Sequence, residues 1–229
     1  MKEENQLMLS VRNRQKDIEE FVYLKLLPKV FQEDIRKTRH FREWFRVPMN
    51  YPRIIELPLT IELLDLNPNN SILDISSPKL LSLYLAERGY NQITISDIED
   101  YFMEDFKKYS KAFNISPKID VFDATNIPYK NNTFDKVFSV SVLEHIPDFG
   151  DVEVVREVLR VLKPGGCFVF TLPAYHAYLE EWLKKPTFYW ASKKNQEGDT
   201  FYQRRYHYLT RNPEDKNIRQ VAIKLFRAV

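Results

Sequence analysis

The stretch from Ser71 to Asp100 limits the possible folds of this chain more than any other part of it. Ile72, Leu73 and Ile75 make an apolar run that reads as a buried strand. Ser77-Pro78 opens a helix with the apolar stripe Leu81, Tyr84 and Leu85, and Gly89 closes it. A second β-branched run, Ile93 to Ile95, ends at Asp97. Strand, helix and strand within about 30 residues is a βαβ crossover. Ser77 is a good N-cap and Pro78 suits the first helical position. The helix then directs unpaired N–H groups at the carboxyl end of the first strand, where open α/β sheets bind ligands. Asp97 follows about 20 residues beyond that loop, where an acid accepts from a ribose hydroxyl pair. The stretch reads as a nucleotide-cofactor half-site.

The pattern repeats downstream. A helical segment from about Tyr101 to Phe113 ends at Asn114 and Pro117. Ile119 to Phe122 reads as a third strand with Asp123-Ala124 at its carboxyl end, and Asn131-Asn132 makes a turn. Phe134 to Val140 is a fourth strand, Val152 to Leu162 a helix, and Lys163-Pro164-Gly165-Gly166 a tight turn before a fifth strand, Cys167 to Leu172. Alternating strands and helices predict an α/β fold with a doubly wound, mainly parallel sheet of order 3-2-1-4-5.

Upstream, residues 1–66 read as a helical cap on that sheet. Residues 1–10 are expected to fray, and helical spacing runs from about Arg12 to Pro28 and again from Val30 to Phe45. A third helix is expected from Arg53 to Leu66, kinked or interrupted by Pro58. The basic run from Arg36 to Arg46 is offset by Glu33, Asp34 and Glu43, so it reads as a solvated face and not as a nucleic-acid surface. Residues 67–173 form the α/β core, and 174–229 a C-terminal extension. There, Ala174 to Lys185 and Asn212 to Val229 have helical spacing, and 186–200 reads as loop.

Composition narrows the class. A net charge of +2 gives no bulk field for nucleic acid or membrane. The one cysteine, Cys167, excludes an internal disulfide and fits a reducing compartment. No apolar run approaches about 18 residues, and the N-terminus lacks a signal-peptide layout. A cytoplasmic protein with no metal centre is expected.

Taken together, ILDISSPK, ISDIED, IPYKNNTFDKVFSVSVLEHI and REVLRVLKPGG resemble the class I S-adenosylmethionine-dependent methyltransferases over roughly residues 70–173. The resemblance implies S-adenosylmethionine as cofactor and a methyl acceptor, expected to be a small molecule. It implies that Asp97 holds the ribose hydroxyls, that Asp123 and Ala124 meet the adenine edge, and that Ile98, with Ile127, flanks the ring. Asp74 would orient the loop and approach the methionine ammonium, whose site would be completed by backbone groups near Ser76 and from Ser139 through Ser141 to Val142. Ser77, Pro78 and Lys79 would face the methionine carboxylate, with Lys79 adding charge. His145, after the fourth strand, is the candidate general base for an acceptor that carries a proton, and Glu144 reads as structural. The segment Phe201 to Tyr208 and the cap residues Tyr51, Arg53 and Glu56 are candidates for the acceptor side.

Two features depart from the family. Its loop is usually rich in glycine, whereas Ser76-Ser77-Pro78-Lys79 has none. Serine disfavours positive φ and proline forbids it, so an ordinary right-handed entry to the helix is expected. This departure motivates an alternative, a catalytically inactive methyltransferase-like binding domain. A nicotinamide-dependent oxidoreductase shares the βαβ unit, but the glycine fingerprint is missing and LEHI followed by LKPGG is foreign to it. The second departure is the end of the sheet. The family's antiparallel hairpin after the fifth strand is not legible, so Cys167–Leu172 is expected to be an unprotected edge, through truncation or for a partner to complete. The acceptor atom and the oligomeric state are not encoded in any pattern found.

Overall fold

A computed structural model describes residues 2–38, 51–175, 179–183, 201–207 and 220–227. The N-terminal part is helical from Lys2, earlier than expected: α1 (Lys2–Glu20) runs into a π-helical turn (Phe21–Leu26) and α2 (Leu27–Val30). The wide turn has a local cause. Pro28 brings no amide to the ladder, and the Leu27 N–H reaches back five residues to the Val22 carbonyl. Of the second expected helix only α3 (Glu33–Arg36) lies among the described residues, since the remainder of Val30–Phe45 falls largely outside them. The third, α4 (Tyr51–Leu64), passes through Pro58 without interruption. Pro58 and its neighbour Leu57 are buried, and that packing offsets the missing amide bond.

Next come β1 (Ile72–Ile75), α5 (Lys79–Glu87), β2 (Ile93–Asp97), α6 (Tyr101–Phe113) and β3 (Lys118–Val121). Then follow β4 (Phe134–Val140), a 3-10 turn (Leu143–His145), α7 (Gly150–Val161) and β5 (Leu162–Tyr175). The turn residues behave as their types require: Gly89, Asn114 and Asn132 all have positive φ. The expected turn at Lys163–Gly166 is absorbed within β5. Phe134 pairs with Leu162 and Lys136 with Cys167, so the extra residues bulge outward, with Gly165 at φ 76°.

β1 to β5 form a parallel sheet of order 3-2-1-4-5, as the sequence predicts. Both faces are buried over β1, β2 and β4, and side chains alternate between them. Ile72, Phe138, Val140 and Val169 pack with α1, α4, α5 and α6. Leu73, Ile75, Val137, Phe168 and Phe170 pack with Val154, Val158 and Val161 of α7. The N-terminal helices therefore share the core of the sheet.

The C-terminal expectations are overturned. β6 (Leu179–Leu183) and β7 (Phe201–His207) pair as antiparallel strands where a helix and a connector were expected. β8 (Gln220–Arg227) runs antiparallel to β5 from Cys167 to Ala174. The β5 edge is covered, and the helix expected over Asn212–Val229 is a strand in its described part; 208–219 lie outside the described residues. Val221, Ile223 and Leu225 also alternate with period two, and an apolar run this short fits either geometry until an unpaired edge selects one.

Candidate functional site

The carboxyl ends of β1, β2 and β4 meet around the Ser76–Pro78 loop. Ser76 has φ 53°, so the expected right-handed entry is wrong. Its N–H donates to the Ser96 carbonyl at 3.0 Å, and the left-handed turn lets the chain leave the strand as a glycine would. Pro78, not Ser77, is the N-cap of α5. Ser77 is drawn away from capping, because its Oγ accepts from the Val140 N–H at 2.9 Å. Asp74 fixes the loop from below. It is fully buried, its Oδ1 accepts from the Ser77 N–H at 2.9 Å, and its Oδ2 accepts from the Ser82 hydroxyl. Burial raises the Asp74 pKa, opposed by the charge of Lys79 and by these hydrogen bonds.

Lys79 does not serve the helix N-terminus. It is 3% exposed, and its Nζ lies 3.0 Å from the Ser96 carbonyl, 3.1 Å from Asp97 Oδ2 and 4.9 Å from the centre of the Phe102 ring. The expected ribose acid thus carries an internal counter-ion on one oxygen. Asp97 remains 9% exposed, and its Oδ1 has only a long, 3.4 Å contact with the Glu99 N–H.

Further along the edge, Ile98 is 63% exposed, whereas Ile127 is buried against the α7 side of the sheet. Ile127 is a core residue. Asp123 is exposed and closes a local turn, its Oδ1 accepting from the N–H and hydroxyl of Thr125 at 2.8 Å each. Ala124 is half-buried against the α7 side. Ser139 is fully buried and donates to the Ile75 carbonyl at 3.1 Å, so it holds β4 to β1.

Ser141 belongs to a second cluster that local patterning did not reveal. Like Ser76 it has φ 53°. Its N–H donates to Thr171 Oγ1 at 2.9 Å, and its hydroxyl donates to Glu56 Oε1 at 3.0 Å. Arg53 donates to Ser141 Oγ at 3.1 Å and to Glu56 Oε2, and Thr171 donates to Glu56 Oε1 at 3.2 Å. Helix α4 is thereby locked to the ends of β4 and β5. Beside this cluster, Glu144 is buried, and burial, opposed by a hydrogen bond from its own backbone N–H and by the charge of Arg53 and reinforced by that of Glu56, pushes its pKa up to about 8. His145 is half-buried, with Nε2 3.8 Å from Glu144 Oε1. Arg53 and Glu56 were expected on the acceptor side; Thr171 was not, and its being a polar residue within the apolar run CFVFTLP is the one signal by which sequence could have marked it.

Two surface depressions, of about 400 and 470 Å³, lie elsewhere among the described residues. One is lined by Lys25, Lys29 and Phe113, and the other by Gln32, Glu104 and Lys111 along α6. Neither brings the strand-end groups together. No group of metal-ligating side chains occurs among the described residues, and no described helix is long and apolar enough to cross a membrane.

Residues 73–170 match the sequence profile of the family described as "Methyltransferase domain". The ubiquinone/menaquinone biosynthesis C-methyltransferase UbiE of Rickettsia akari is 33% identical over 111 residues, covering 45% of this chain and 44% of that protein. The norajmaline N-methyltransferase of Rauvolfia serpentina is 40% identical over 62 residues, covering 26% of this chain and 20% of that protein. Among solved structures, the PH0226 protein of Pyrococcus horikoshii superposes with a TM-score of 0.48 at 23% identity, covering 63% of this chain and 62% of that one. The chain spans less than half the length of these two sequence relatives, whose names specify methylation at carbon in one case and at nitrogen in the other.

Proposed function

Residues 73–170 are a methyltransferase domain of the class I S-adenosylmethionine-dependent family, and from that premise we infer that the protein transfers a methyl group from S-adenosylmethionine to a small-molecule acceptor. The observation that carries this reading is the left-handed Ser76 at the end of β1. A glycine-free loop is an objection to cofactor binding only if the loop cannot make the family's turn. Ser76 makes it, at a backbone cost of about 1 kcal/mol. The reason for preferring an inactive domain is thereby removed.

The side chains at the strand ends fit the cofactor. Asp97 keeps Oδ1 available for a ribose hydroxyl, and Lys79 on its other oxygen holds the carboxylate in one orientation. Asp123, Ala124 and the exposed Ile98 line the neighbouring edge, suited to an adenine. Asp74, Ser76 and Ser77 shape the berth for the methionine end, while Ser139 supports it from beneath. Bound there, S-adenosylmethionine supplies a methyl group already activated on a sulfonium. What remains for the protein is alignment of donor and acceptor and disposal of a proton where the acceptor carries one. His145 and its neighbour Glu144, 3.8 Å apart, are the acceptor-side groups available for that task, and the α4 cluster closes the same side.

Calorimetric titration with S-adenosylmethionine and, separately, with NAD tests the reading. Binding of the first alone is expected, with Asp97→Ala weakening it by about 1–3 kcal/mol. Binding of neither would favour a silent domain, and binding of NAD alone would overturn the assignment.

A further inference from the structure

The polar cluster at the ends of β4 and β5 is uneven in charge. Glu56 is fully partnered: Arg53 donates to one oxygen, and Ser141 and Thr171 donate to the other at 3.0 and 3.2 Å. Glu144 is not. It is 3% exposed, and its Oε2 has no hydrogen-bond partner among the described residues. Among those residues only its own backbone N–H is hydrogen-bonded to the carboxyl, and leaving the second oxygen buried and unpartnered is costly, far more so as an anion. With no ligand, the protein limits that cost by keeping Glu144 protonated, as its pKa near 8 reflects. Ser141 holds a left-handed backbone at the same spot, the kind of strain that persists where a site needs it.

We propose that Glu144, beside the Arg53–Glu56 pair, is the subsite for a protonated amine acceptor, serving as its counter-ion and as the base that removes its proton. This rests on the methyl-transfer reading above and adds the substrate class. The charges favour a cation. Arg53 and Glu56 already neutralise each other, so an ionised Glu144 adds a net negative charge that an ammonium balances and that a carboxylate or phosphate would not. When the ammonium binds, Glu144 releases its proton to solvent and becomes the partner anion. The carboxylate then takes one N–H proton and leaves a neutral amine. The nitrogen lone pair forms the new N–C bond as the S–C bond breaks. Sulfur keeps that electron pair, and the positive charge passes from sulfur to the methylated nitrogen. Glu144 ends protonated, as it began.

Other ionisable groups adjoin this carboxyl. His145 shares its turn, with Nε2 3.8 Å from Oε1, and Arg53 and Glu56 face it from α4. Asp151 and Glu153 lie at the start of α7, and β7, which packs against the turn, has Arg204, Arg205 and His207 in its sequence.

The test uses the full chain with three ring-sized probes: piperidine, cyclohexanol and cyclohexanecarboxylate. Without cofactor, infrared difference spectra at neutral pH are expected to show a protonated carboxyl band that Glu144→Gln removes. Piperidinium should abolish the band in the wild type, and the alcohol and the acid should not. Affinity for piperidinium should tighten about tenfold as pH rises through 8 and stay flat in Glu144→Gln. With S-adenosylmethionine, piperidine should be methylated, with kcat reduced about 100-fold in Glu144→Gln, more than KM changes, and partly restored in Glu144→Asp. A band unchanged by piperidine, equal piperidine affinity in both proteins, or tighter binding of cyclohexanecarboxylate would overturn the proposal. The wild-type spectra alone decide this if the variants fail to fold. Loss of S-adenosylmethionine binding with the amine response intact would overturn the enzyme reading instead.

Discussion

Ser76 and Ser141 share a backbone conformation that serine normally avoids, each at φ 53°, at the carboxyl ends of neighbouring strands. At Ser76 the strain is testable. Ser76→Gly relieves it without removing any contact the side chain is seen to make, so thermal unfolding should show a stabilisation of about 0.5–1 kcal/mol. A stability loss would mean that the hydroxyl has a structural task. Glu144 offers the second test at this scale. Its folded pKa, about 8, lies above the ordinary carboxylate value of 4.5, so between those values the folded state binds more protons than the unfolded one. Stability from this group is present in acid and is lost as pH rises toward 8. Relative to Glu144→Gln, the wild type should therefore lose stability over that window, by on the order of a few kcal/mol, in denaturant titrations at each pH. Asp74 shifts in the same direction but is common to both proteins, so it cancels in the comparison.

At the scale of elements, β8 changes what the fifth strand is. Parallel pairing with β4 satisfies one side of β5, and antiparallel pairing with β8 satisfies the other from Cys167 to Ala174. Ile223 pairs with Thr171, the residue whose hydroxyl reaches Glu56. Ile223→Pro would place a residue without an amide N–H in the middle of that ladder. A loss of about 3 kcal/mol is expected, together with concentration-dependent light scattering from the uncovered apolar edge. Unchanged stability would show that β5 does not depend on this partner.

At the scale of the molecule, the N-terminal helices and the sheet share one core. Phe21 is fully buried, lies edge-on to Tyr84 of α5 at 5.6 Å between ring centres, and also contacts Phe113 of α6. Arg14 binds Glu62 at 2.8 Å, and Tyr84 donates to Asp17. Phe21→Ala should cost about 3–5 kcal/mol while calorimetry still shows a single transition, because cap and sheet unfold together. Two separate transitions would make the cap an independent domain.

The parallel order of β1 to β5, the ends of α6 at Asn114 and of α5 at Gly89, and the acid at the tip of β2 were all legible in the sequence. Each depends on local periodicity, on turn residues with distinctive φ preferences, or on the one hand that a βαβ crossover can take. Three features were decided only by tertiary structure. Ser76 is left-handed because Asp74, Ser96 and Val140 hold the loop from three directions, which outweighs an intrinsic preference of about a kilocalorie. The last segment is a strand because the free edge of β5 was there to accept it. Lys79 reaches Asp97, and Arg53 and Glu56 reach Ser141 and Thr171, across sequence separations that no local window spans. Buried polar groups must find partners wherever the packed chain supplies them, and that choice is made only once the core has formed.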